Sequence, residues 1–84
     1  MKTIIEDKNL GIAELLGKRV TFFGMVYIYT GDLVAVDKIF AKLANAAIVY
    51  ETGSFTDPDW KDAQLLPHPV LVKLSSVESI MVLK

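Results

Sequence analysis

From Arg19 to Ile39 the chain reads RVTFFGMVYIYTGDLVAVDKI, a stretch free of proline, dominated by β-branched and aromatic side chains and punctuated only by Gly24 and Gly31. Such residues fit a pleated, half-buried surface, so this stretch commits the chain to strands. Gly24 fits a first reversal. Gly31 is different, because it lies inside an otherwise continuous run with neither Pro nor Asn beside it. A glycine inside a strand lets a sheet curl sharply or lets another backbone approach closely. The alternative is that Thr30-Gly31-Asp32 is a hairpin loop, and the sequence leaves both readings open.

The flanking segments extend the pattern. Residues 9–17, NLGIAELLG, read as a short helix. Ile12, Leu15 and Leu16 share one face, Asn9 or Asp7 can cap the start, and Gly17 fits the stop. Such a helix is too short to stand alone and must pack on a sheet. A reversal at Asp37-Lys38 leads into a strand ending near Glu51. Thr52 to Pro69, TGSFTDPDWKDAQLLPHP, reads as a long acidic loop with three prolines, in which residues 59–64 are able to form one helical turn. Two closing strands follow, VLVKL and SIMVLK, split by Ser75-Ser76-Val77-Glu78. A helix followed by about five strands predicts one all-β domain over 1–84, a small β-barrel with the 52–69 loop between its third and fourth strands.

The closing strands do not alternate polar and apolar residues, and strands apolar on both faces are covered on both faces. The chain has 84 residues and 52% of them are apolar. With a mean hydropathy of +0.41, a domain this small cannot hide all of that surface within itself. Other copies or a partner are therefore expected to cover some of it, and pairing of sticky edges favours a closed oligomer.

Several classes are excluded or disfavoured. There is no cysteine, which removes disulfides, zinc–thiolate clusters and thiol catalysis. The start MKTIIEDKNL is too polar for a signal peptide, and the longest uncharged run, Val20 to Gly31, is shorter than the roughly 18 residues of a membrane helix. A cytoplasmic protein without membrane contact is the expectation. Net charge is −1, but unevenly spread: residues 51–69 hold four acids against Lys61, whereas the rest carries eight Lys/Arg against six Asp/Glu. No nucleophile triad, phosphate loop or telling carboxylate pair appears, so no enzymatic activity is expected. His68 lies between two prolines without Cys partners, and Asp57-Pro58-Asp59 lacks the glycine and further oxygens of a calcium loop, so no metal or other cofactor is expected. Trp60 reads as a plug folding the acidic loop onto the barrel, or as an anchor for a protein partner.

A helix, then LLGKRVTF, then YTGDLVAVD, then a strand with LANA, resembles the first motif of the Sm/LSm family of RNA-associated ring proteins. Leu16, Gly17, Lys18 and Val20 match the start of its first motif. Tyr29, Gly31, Leu33 and Asp37 match the middle, and Leu43 and Ala46 the end. The similarity spans residues 14–51, and more loosely 70–84. It departs at Asp37, where Lys38 replaces the family's asparagine, and at Val72-Lys73-Leu74, which stands where the family has Ile-Arg-Gly.

The resemblance implies an N-terminal helix on a highly curved, five-stranded Sm-like (SH3-like) barrel, and a homo-oligomeric ring joined edge to edge through Val70 to Leu74 and Ser79 to Leu83. Its pore loops would bind single-stranded RNA, in preference to single-stranded DNA, in an accessory role in processing. In that arrangement Asp37 would accept from a base and Lys38 and Lys73 would meet phosphate. Phe40, or Tyr27 elsewhere, would stack, and Ser75 or Ser76 would supply a hydrogen bond. Without a nucleic-acid partner the same residues form a solvated turn, a core phenylalanine and an edge charge, and the ring itself is a structural or protein-docking module. A monomeric SH3-like barrel is a third reading.

Overall fold

The computed structural model describes residues 11–84. Six strands form one antiparallel sheet: β1 (Arg19–Gly24), β2 (Ile28–Val36), β3 (Phe40–Glu51), β4 (Asp62–Leu65), β5 (Val70–Lys73) and β6 (Val77–Met81). The order across the sheet is β4-β3-β2-β1-β6, with β5 also paired to β3. The protein is thus mainly β, as the side-chain pattern requires. Among the described residues no hydrogen-bonded pairing joins β6 to β4 or β5, so the sheet remains open rather than closing on itself.

Two expectations need correction at the fourth strand. The long loop contains strand β4 at the place where a helical turn was anticipated, and the fourth strand is split in two. β4 pairs with β3 between Ala47 and Glu51, while β5 pairs with it between Phe40 and Leu43. They are two halves of one antiparallel partner, interrupted by Leu66-Pro67-His68-Pro69. The break follows from the prolines, which have no N–H to donate to a ladder. The Leu66 amide still reaches the Ala46 carbonyl at 2.8 Å, carrying the pairing to the edge of the interruption. The last strand begins at Val77 rather than Ser79 and ends at Met81, because Leu74–Ser76 forms a single 3₁₀ turn.

The helix expected over 9–17 is a 3₁₀ turn, Ile12–Leu15; its proposed caps at Asp7 and Asn9 lie outside the described residues. Gly17 does stop it, with a left-handed φ of 85°. Its amide then donates to Leu33 at 2.8 Å and ties the turn to β2. Ile12 and Leu15 rest against the core formed by Val20, Phe22, Leu33, Ala41, Leu43, Ala46 and Val72.

Gly31 lies within β2, which decides against the hairpin-loop reading. Thr30 faces Ala47 but Asp32 faces Ala44, so Gly31 alone opposes Asn45 and Ala46. This is a bulge on β3, and Asn45 accommodates it with a φ of 49°. A Cβ on Gly31 would sit 3.0 Å from the Ala46 Cβ and 3.1 Å from the Ala44 carbonyl oxygen, so a larger residue would force β3 to shift by a few tenths of an ångström. A second shift, with Leu33 facing Leu43 and Ala35 facing Lys42, leaves Val34 as an extra residue on β2. Two bulges on opposite strands bend and twist the central hairpin. Across the first of them Asp32 accepts hydrogen bonds from Arg19 at 3.1 Å and Asn45 at 3.0 Å.

Candidate nucleic-acid interface

The β2–β3 reversal is built by one carboxylate. Asp37 Oδ1 accepts from the amides of Ile39 and Phe40, both at 2.7 Å, while the Asp37 amide donates to the Phe40 carbonyl at 2.9 Å. These amide donors, Phe40 before Ile39, hold the Asp37 carboxyl below its ordinary value of 3.8. One oxygen of Asp37 is therefore occupied by its own turn, and Lys38 is left exposed at the tip.

Non-local pairing brings the second predicted loop to the same place. Phe40 and Lys73 face one another across β3 and β5. The next amide, that of Leu74, donates to the Ile39 carbonyl at 2.8 Å. The 3₁₀ turn that follows carries exposed Ser75, and Ser76 Oγ donates to the Lys73 carbonyl at 2.8 Å, fixing the exit of β5. Asp37, Lys38, Phe40, Lys73 and Ser75, separated in sequence, thus share one end of the sheet. Phe40 is 37% exposed and starts an outward-facing row, so it is not the core residue that the alternative reading required.

Alternation along β3 adds a residue that sequence reasoning did not select. Ala41 and Leu43 point into the core, so Phe40 and Lys42 point out, on the same face about 6.7 Å apart. Lys42 faces Leu71, two residues before Lys73 on β5. The spacing Phe-x-Lys at a strand start carried this signal, but reading it needed the face of β3 to be known. Three exposed lysines and one aromatic ring result, with the single carboxylate of the β2–β3 turn bound inward to amides.

Tyr27 lies elsewhere. It packs edge-on against Tyr29, with ring centroids 6.2 Å apart, beside an open groove of about 260 Å³ lined also by Met25, Val26, Val72 and Ser76. The 74–76 turn therefore has Lys73 leading into it and an aromatic pair beside its Ser76. Glu78 lines a different groove with Ile12 and Leu74. His68, Asp57 and Asp59 gather no further ligands, and among the described residues no cluster of three or more His, Cys, Asp or Glu is placed to hold a metal. Nor is any described helix long and apolar enough to cross a membrane.

Neither a protein-family model nor a curated protein matches this chain.

Proposed function

We propose that the protein is a non-enzymatic, cytoplasmic Sm-like barrel that assembles into a homo-oligomeric ring and binds single-stranded nucleic acid, RNA in preference to DNA, in an accessory processing role. The observation that carries this reading is the pairing of Phe40 with Lys73, which puts the Asp37 turn and the Ser75 turn side by side. Lys38, Lys42 and Lys73 supply charge for phosphates, and Phe40 supplies a ring on which a base can stack without regard to sequence. Assembly is supported by the two sheet edges that no strand pairs among the described residues. Leu71 and Leu65 on one side, and Met81 and Val82 on the other, are each about half or more exposed in the single chain. Backbone pairing of β6 with the β4/β5 edge of a second copy would cover them and leave no unpaired ladder.

Fluorescence anisotropy with labelled oligo(U), oligo(A) and single-stranded DNA, at low and physiological salt, tests the proposal. Saturable binding that weakens with salt is expected, because phosphate contacts release counterions. Each of Lys38→Ala, Lys42→Ala and Lys73→Ala should lower the salt slope by about 0.7 for a single strand, with ring size by sedimentation unchanged. Unaltered affinity in the triple variant sinks the assignment of the site.

A second reading, a ring that docks a protein and no nucleic acid, is favoured by the apolar tip of the β1–β2 turn, where Met25 is 66% and Val26 81% exposed. Absence of oligonucleotide binding even at low salt, with a protein partner lost on Val26→Asp, would select it.

A further inference from the structure

The acidic loop between β3 and β4 is folded around a single cation. Lys84 Nζ donates to the backbone carbonyls of Thr52 at 3.0 Å, Ser54 at 2.9 Å and Asp59 at 2.9 Å. It also sits 4.5 Å from the centroid of the Trp60 ring. A primary ammonium has three N–H donors, and here each one has a carbonyl acceptor. The indole face adds the cation–π attraction of the best aromatic for that purpose. Among the described residues no carboxylate lies within ion-pair distance of Lys84, and Arg19–Asp32 is the one salt bridge. Recognition is therefore by oriented carbonyl dipoles and a ring rather than by charge pairing, although Asp57, Asp59 and Asp62 surround the site in sequence.

The loop is shaped to present those oxygens. Gly53 takes a left-handed φ of 68°, with its Cα placed so that a Cβ would meet Lys61 Cβ at 3.3 Å. Thr52 Oγ1 donates to the Gly53 carbonyl, and the Ser54 and Thr56 hydroxyls lie 2.8 Å apart, so neither side chain competes for the Thr52 and Ser54 carbonyls. The Ser54 carbonyl also accepts from the Asp57 amide at 3.1 Å and so serves both the turn and the ammonium. Phe55 packs edge-on against Phe23 of β1 at 6.2 Å, anchoring the far side.

We propose that residues 52–60 form a binding site for a primary ammonium group, which the chain fills in cis with Lys84. Occupation latches the tail after β6 to the loop leading into β4. Lys84 thereby adds a tie between the two ends of the sheet, which no ladder joins among the described residues. Tethering gives Lys84 a high effective concentration, so free amines do not compete until Lys84 is removed. What the site selects is the N–H number: a quaternary ammonium keeps the charge and the cation–π attraction but has nothing to donate to the three carbonyls. This site is independent of what the basic end of the sheet binds.

Trp60 is the only tryptophan, so its fluorescence reports the site directly. Lys84→Ala is expected to shift Trp60 emission to the red and to raise amide exchange across residues 52–60 about tenfold, with the far-UV spectrum unchanged. Lys84→Gln, one bond shorter and uncharged though still an N–H donor, should behave as Lys84→Ala. Methylammonium chloride titrated into Lys84→Ala at constant ionic strength should restore the emission and the protection, whereas tetramethylammonium should not. Wild-type emission and exchange in Lys84→Ala would overturn the proposal. So would full retention of the latch in Lys84→Gln, or equal rescue by the two ammonium ions, which would reduce the site to an aromatic face without carbonyl recognition.

Discussion

β3 joins two ends that are held by opposite means. At its Phe40 end the turn is organised by an anion, Asp37, which accepts from two backbone amides. At its Glu51 end the loop is organised by a cation, Lys84, which donates to three backbone carbonyls. Each end binds one side chain of its minority charge to its own backbone. Lys38, Lys42 and Lys73 are exposed at the first end, and Glu51, Asp57, Asp59 and Asp62 outnumber exposed Lys61 at the second. A net charge of −1 therefore hides two surfaces of opposite sign. Local charge, not the sum, decides which partners a face of a small domain admits.

The comparison breaks most completely if the scaffold common to both ends is removed. Phe22 is fully buried in the middle of β1, so Phe22→Ala should lower the unfolding free energy by about 4 kcal/mol and loosen both ends together in denaturant titration. If one end kept its native exchange protection, the two would not share a cooperative core. Gly31→Val acts at the bulge between the ends. The added side chain meets Ala46 and the Ala44 carbonyl, and a cost of about 3 kcal/mol is expected by the same measurement. A neutral outcome would mean that the β2–β3 approach relaxes easily.

Smaller effects separate the ends. Asp37→Asn should raise exchange of the Ile39 and Phe40 amides and leave residues 52–60 untouched, the mirror of Lys84→Ala; a change at both ends would refute their independence. Asp32 and Asp37 also predict an acid response. The Asn45 amide, then Arg19, holds the Asp32 carboxyl below 3.8, as the Phe40 and Ile39 amides do for Asp37. A carboxyl depressed in the folded state contributes stability that is fully present above its unfolded value and is lost as pH falls through the folded one. Both side chains should therefore titrate below 3.8 by NMR, and the Asp37 turn should loosen only under those acidic conditions. Midpoints at or above the ordinary value would remove these hydrogen bonds from solution.

How much of this was legible in the chain follows from how local each signal is. The strand content, the reversals at Gly24 and Asp37, and the stop at Gly17 are written in side-chain type and backbone freedom over a few residues. Gly31 was readable as a bend, but not as half of a bulge, because its partners Asn45 and Ala46 belong to another strand. Strand β4 was missed because DAQL between a tryptophan and two prolines has neither period nor β-branched residues. It is a strand only because β3 offers a free edge. Lys42 was missed for a related reason: its face is defined by the burial of Ala41 and Leu43.

By itself, then, the sequence determined an all-β domain, the location of its tightest turns and the concentration of acid in residues 51–69. These depend on propensity and short-range geometry. The tertiary structure alone decided that the Asp37 and Ser75 turns meet, that the sheet stays open, and that Lys84 closes the acidic loop. Each of these rests on contacts between distant residues, such as Lys84 with Thr52 at a separation of 32, and contacts of that range exist only once the sheet has set its register.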